Sequence, residues 1–218
     1  MSAAPWLLAL HSSSETLAVA VQRLDADATA AQVGCFPLGR RLSNELLVCV
    51  EQALPAAQWP QIGRIVVATG PGGFTGTRLT IVLARTLAQQ LAVPLHGFSS
   101  FLLMARRLAA VGQPAQGLER FWLAQELPRR GTVAGCYGPC PGSFGGLKER
   151  EIPRLFRPGE AWPGAPGGAE PCLPAVVDPR EDALQLLQLG ALAAQQGLPG
   201  PWQPVLPLYP TSPVENFG

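Results

Sequence analysis

The chain has 218 residues, 47% of them hydrophobic and 14% charged, with a formal net charge of +1. That length can bury a core as one large domain or as two small lobes, and no stretch reaches the roughly 18 unbroken apolar residues of a bilayer-spanning helix. Only Lys148 among the 16 basic residues is a lysine, so no lysine-rich patch exists for autonomous nucleic-acid binding, and the pairs Arg40-Arg41, Arg106-Arg107 and Arg129-Arg130 could contribute only to a composite surface.

No basic region precedes the first apolar run, and Ser12 to Glu15 end that run early, so a signal peptide is not expected and a cytoplasmic location is. The five cysteines, Cys35, Cys49, Cys136, Cys140 and Cys172, include no C-x-x-C pair and no zinc-like spacing, which reads as reduced thiols in a reducing compartment. Cys136 and Cys140 flank a turn at Gly138 and Pro139 and give no support for a disulfide.

In chain order, Trp6 to Leu10 and the alternating Leu17, Val19 and Val21 predict a strand hairpin closed by Ser12 to Glu15. A third strand is expected over residues 31–38. Ser43 is the expected N-cap of a helix over residues 44–54, with Leu46, Leu47, Val50 and Leu54 on one face. Residues 64–69 read as a buried parallel strand running into GPGGFTGTR at residues 70–78. Residues 77–91 have helical periodicity, residues 94–98 return as a strand, and Ser99 or Ser100 caps a helix over residues 101–110. The second half is less regular: short strands over residues 120–125 and 132–137, then 37 residues (138–174) holding 8 Pro and 8 Gly. So many breakers predict an extended surface region rather than central strands. A short strand over residues 175–177, a helix from Asp178 or Asp182 to Gln196, and an extended tail over residues 205–209 complete the reading. The expected division is a first lobe over residues 1–110 and a smaller, irregular lobe over residues 111–218.

The Gly-rich turn carries two readings. A strand ending in glycines before a helix presents backbone N–H groups at the positive helix end, which suits an anion at Gly70, Gly72, Gly73, Thr75 and Gly76; the same glycines also allow chains to approach closely. The P-loop pattern fails, because Thr77 and Arg78 follow Gly76 where Lys and Ser or Thr are needed. The dinucleotide pattern fails too, because the sixth place from Gly70 is Thr75.

The segment resembles the Gly-Pro-Gly-Ser-Phe-Thr-Gly-x-Arg turn of the TsaB family in eight of nine positions, Gly73 replacing Ser. The resemblance continues in residues 7–22, in the helix with Glu45, in residues 92–105, and in the ending PLYPTSPVE at residues 207–215. It implies an α/β, two-lobed actin, sugar-kinase and heat-shock-chaperone-like (ribonuclease H-like) fold, each lobe a mixed sheet with helices. It also implies a non-catalytic subunit that pairs with a TsaD-type catalytic subunit, works with a TsaE-type ATPase, meets tRNA only through that complex, and supports threonylcarbamoyl transfer to adenosine 37 of tRNA. The expected partner interface comprises Leu46, Leu47, Val50, Leu54, Arg78, Val82, Ala84, Arg85 and Ala88, a surface that also suits a homodimer.

The His-x-x-x-His metal pair of TsaD falls here on Ser100 and Met104, neither of which replaces an imidazole, so no metal and no obligatory cofactor are expected, with weak nucleotide binding left to the cleft. His11 stands at the end of the first strand, where superfamily members hold an acid, with Glu15 nearby; His96 reads as a packed strand residue. The family's Asp-Ala-Arg-x-Gly-Glu-Val-Tyr segment survives only at Arg129, Gly131 and Val133, with Glu126 one place early. The rival reading is a nucleotide-dependent phosphotransferase or peptidase-like hydrolase of the same fold, which needs an acid or base in the cleft.

Overall fold

The computed structural model describes residues 5–210. Strand β1 (Trp6–His11) forms the predicted hairpin with β2 (Thr16–Arg23), with Leu8 opposite Val21 and Leu10 opposite Val19. β3 (Gln32–Pro37) continues the antiparallel run. On the other side of β1 lie two parallel strands, β4 (Ile62–Ala68) and β5 (Leu95–Phe98), giving the order β3-β2-β1-β4-β5. β1 and β4 are apolar on both sides because helices cover both faces of the sheet.

One face carries α1 (Leu42–Ala53) and α2 (Phe74–Leu91). Leu8, Leu10, Val19, Ile65 and Val67 point to it and meet Leu46, Val50, Ile81, Ala84 and Ala88. The alternate residues, Leu7, Ala9, Ala18, Ala20 and Val66, point the other way, as the two-residue strand period requires. They pack on α3 (Ser100–Leu108) through Leu103 and on α4 (Pro179–Gln195) through Ala183, Leu186 and Leu187. Small residues set the closeness of that contact: a Cβ at Gly190 would lie 2.8 Å from both Leu7 Cδ1 and Val66 Cγ1.

The second sheet has the order β8-β7-β6-β9, from β6 (Phe121–Leu127), β7 (Gly131–Pro139), β8 (Leu147–Phe156) and β9 (Cys172–Pro174). α3 is the wedge between the sheets, since Phe101, Met104 and Ala105 bury against Phe121, Leu123, Val133 and Tyr137.

Several expectations change. α1 starts at Leu42 after a short 3-10 turn, its N-cap position is Arg41, and Ser43 makes no cap. α2 begins at Phe74, so Phe74 to Arg78 are its first turn rather than part of a loop. Residues 138–174 contain the ten-residue β8, tolerated because it is an edge strand whose Pro153 need not donate to a neighbour. The loop after it is held by Trp162, whose ring lies 5.1 Å from Trp122 and 5.0 Å from Phe156. The strand expected at residues 175–177 is instead β9, three residues earlier. α4 follows the second sheet in the chain yet packs on the first, so a boundary after residue 110 does not describe where residues 179–195 sit. Of the closing segment at residues 207–215, residues 211–215 lie outside the described residues. No helix among the described residues is long and apolar enough to cross a membrane.

Candidate functional site

The parallel strands β1, β4 and β5 end side by side, and the Gly-rich turn follows β4 there. Its glycines act by close approach. A Cβ at Gly72 would fall 2.5 Å from Ser13 Cα, and one at Gly76 would fall 3.0 Å from Leu42 Cδ2 and 3.2 Å from Ser12 O. Gly70 has φ +97°, a backbone region that favours glycine, and the Gly70-Pro71 peptide is cis. Gly73 has φ −57° and open space around it, so the one departure from the TsaB turn falls where a side chain is tolerated.

The backbone of the turn fastens its neighbours. Gly73 N–H donates to Ser13 O at 3.2 Å, Ser100 N–H donates to Gly70 O at 2.7 Å, and Thr69 N–H donates to Phe98 O at 2.8 Å. Side chains add to this: Ser12 Oγ donates to Thr80 Oγ1 at 2.8 Å, and the Ser13 and Ser100 hydroxyls are in contact. Thr75 and Gly76, with Glu15, Arg40 and Ser43, line an open cavity of about 450 Å³ at the start of α2.

His11 is fully buried beneath α3 and α4, and neither ring nitrogen has a hydrogen-bond partner. Burial, aided by the Arg107 charge, lowers its pKa to about 4, so the imidazole is neutral at pH 7. Arg107 Nε donates to Asp182 Oδ1 at 2.9 Å, its Nη2 donates to Val176 O at 2.7 Å, and Asp178 N–H donates to Asp182 Oδ2 at 2.9 Å. Despite these donors, burial pushes the Asp182 carboxyl up to about 6. Arg106 is likewise engaged, by Gln185 and the Gly145 carbonyl, so this arginine pair is tied within the chain and does not belong to a binding surface.

His96 accepts from Arg64, which also donates to Leu198 O at 3.1 Å. Arg64 is a buried cation set against the carbonyls that follow α4, where a helix end is partly negative. Ser100 and Met104, the positions of the metal pair in TsaD, are both buried. Ser99 caps α3 by accepting from Leu102 N–H at 3.4 Å. All five cysteines are free thiols.

The nine expected interface residues divide. Leu46, Val50, Leu54, Ala84 and Ala88 are buried in the chain's own core and cannot meet a partner in this fold. Ala84 and Ala88 are small because they let α2 lie close on the sheet. Leu47 (48% exposed) and Val82 (54% exposed) face solvent, Arg78 is exposed, and Arg85 is half-buried. Arg78, Val82 and Arg85 recur at i, i+4 and i+7 on one face. Arg85 lies over Trp202, its guanidinium carbon 5.3 Å from the ring centroid. Val48 and Phe74, unnoticed in the sequence, are exposed on the same helices.

Comparison with known proteins places these features in context. The family model described as TsaD, tRNA N6-adenosine threonylcarbamoyltransferase, matches residues 21–116, which include α1, α2 and the Gly-rich turn. A Bacillus subtilis (strain 168) relative, tRNA threonylcarbamoyladenosine biosynthesis protein TsaB, is 35% identical over 114 residues, 51% of this chain and 47% of that protein. The match thus spans about half the length of this curated relative. Two solved structures from Pseudomonas aeruginosa share the fold at 24% identity. One, an uncharacterized protein with similarity to peptidase YeaZ, has a TM-score of 0.72 and covers 95% of this chain and 100% of its own. The other, YeaZ, has a TM-score of 0.70 and covers 94% and 99%. Two mixed sheets with helices, opened by a three-stranded antiparallel run, make this an α/β protein that shares its fold with both of these structures. The TsaB relative and the TsaD-type model are each similar to about half of this chain, which for the model is the part that holds α1, the Gly-rich turn and α2.

Proposed function

We propose that this chain is a non-catalytic subunit for threonylcarbamoyl transfer to adenosine of tRNA, docking on a TsaD-type catalytic subunit through the outer face of α1 and α2. The observation that carries the reading is a set of exposed apolar side chains, Leu47 and Val48 on α1 and Val82 on α2, the last flanked along its helix by Arg78 and Arg85, within the segment that matches the TsaD family model. Apolar side chains at the centre with arginine at the rim suit a protein partner. A TsaE-type ATPase and tRNA join through the assembled complex, in the cytoplasm. A second copy of the chain uses the same side chains when the partner is absent.

The site favours support over catalysis. A hydrolase of the serine type needs a hydroxyl activated by a base, but the Ser13 and Ser100 hydroxyls touch each other and the His11 nitrogens touch neither. Any nucleotide bound is weak and lies at the start of α2.

The test uses the surface residue Val82. Purified chain mixed with its TsaD-type counterpart at micromolar concentration co-elutes in size-exclusion chromatography, and Val82→Glu loses that peak while its circular dichroism and melting temperature stay those of the parent. Co-elution that survives Val82→Glu and Leu47→Glu together puts the interface elsewhere. Release of phosphate from ATP by the isolated chain, abolished by a substitution in the turn, removes the non-catalytic reading.

A further inference from the structure

Residues 198–210 leave the end of α4 and run back across the first lobe. Leu95 N–H donates to Gly200 O at 2.8 Å, closing part of the free edge of β5. Trp202 packs against the α1–α2 core beneath Arg85. Val205 is buried beside Gly97, where a Cβ would come within 2.9 Å of Val205 Cγ1. Up to Val205 this segment belongs to the core.

Beyond Val205 the attachments change in kind. Leu206 is exposed, Leu208 N–H donates to Thr69 O at 2.8 Å, and the Tyr209 ring rests on Phe74 with centroids 4.9 Å apart. These contacts hold Leu208 to Pro210 over the mouth of the cleft between Pro71 and Gly72 on one lobe and Gln125, Leu127 and Val133 on the other. The space left beneath is about 90 Å³. That holds a few waters, whereas pockets for small ligands run to about 300–1,000 Å³.

We propose that residues 206–210 form a lid that lifts as a unit about Val205 and decides whether the interlobe cleft is open on the side of the Gly-rich turn. The segment meets the turn and the residue before it through the Leu208–Thr69 hydrogen bond, the Leu208 carbonyl set beside Gly70 and one half-exposed aromatic contact, while Val205 and Trp202 anchor its start in the core. Elements with few buried contacts open locally while the rest of the fold stays closed. Pro207 fixes a backbone angle within the lid, so it moves as a stiff piece. The closed lid is an internal block: it occupies with Tyr209 the face of Phe74 that a ligand entering the cleft would meet. This holds whether or not the α1–α2 face has a protein partner.

Amide hydrogen exchange on the intact chain tests it. The Leu208 amide exchanges about 100-fold faster than the Leu95 amide, because each reports its own opening. Tyr209→Ala speeds Leu208 a further tenfold or so and leaves Leu95 and Val205 unchanged, whereas Tyr209→Phe, which keeps the ring, matches the parent. Equal protection of Leu208 and Leu95, or a joint shift of both in Tyr209→Ala, shows that the strap opens only with the core and overturns the lid. Unchanged exchange at Leu208 in Tyr209→Ala shows that the ring contact does not hold the segment down, and overturns it as well.

Discussion

Two buried ionisable groups, His11 on β1 and Asp182 on α4, respond to pH with opposite signs. His11 has its pKa lowered to about 4 from 6.5. Between those values the unfolded chain takes up a proton that the folded chain refuses, so acidification through this window destabilises the fold. Asp182 has its pKa raised to about 6 from 3.8. Its contribution is fully present below about pH 4 and is lost as pH rises through 6, so the same acidification stabilises the fold through this group. The two shifts, each worth about 3 kcal/mol over the full window at 1.36 kcal/mol per unit, oppose each other. His96, also lowered to about 4 by burial and Arg64, adds to the His11 side. Urea titrations from pH 7 to pH 4.5 therefore separate them: His11→Asn flattens the acid loss of stability and Asp182→Asn steepens it. Identical slopes in parent and both variants would mean that neither group titrates across folding.

At the scale of elements, the Gly-rich turn shows what glycine supplies in each place. Gly72→Ala drives a Cβ into Ser13 and costs roughly 1–3 kcal/mol, as other overpacked sites do. Gly73→Ser meets open space at the N-cap position of α2, which lacks a side-chain cap; thermal melts should find it neutral or more stable by a few tenths of a kcal/mol. Equal destabilisation by both would show that the turn is constrained through its dihedrals rather than through contact with Ser13. The same turn explains what could be read from the residues alone. The hairpin, the parallel strands and the order of elements through residue 110 follow from continuous apolar runs and a recognisable motif, and they stand in the structure with bounds shifted by a few residues. The inward face of α2 did not follow, because Thr77, Thr80, Ala84 and Ala88 face the sheet while Val82 faces water. Hydrophobicity misleads where close helix–sheet packing selects small side chains. β8 was hidden for a related reason: Pro153 and alternating charges forbid a central strand but suit an edge, and edge position is a property of the whole sheet. Of the candidate site, the motif was legible and the burial of half the expected interface was not, since it depends on which face of each helix, α1 and α2, packs on the sheet.

At the scale of the molecule, α4 decides whether the two lobes behave as separate units. It follows the second sheet in the chain, packs on the first through Ala183, Leu186 and Leu187, and joins α3 through the Arg107–Asp182 ion pair. α3 in turn buries Phe101 and Met104 against the second sheet. The first sheet therefore lacks one of its covering layers until the second lobe has been traversed, and the second sheet lacks its wedge until α3 is docked. Each lobe completes the core of the other, so unfolding proceeds as one cooperative transition. The tryptophans report the two sides separately: Trp6, Trp59 and Trp202 pack against the first lobe, Trp122 and Trp162 within the second. Replacing Leu186, fully buried in the shared layer, by Ala should cost about 2–5 kcal/mol. It should lower the midpoint seen by tryptophan fluorescence and by far-ultraviolet circular dichroism together, with the denaturant dependence unchanged. Separation of the two curves in Leu186→Ala would show that the second lobe keeps its structure without α4 in place.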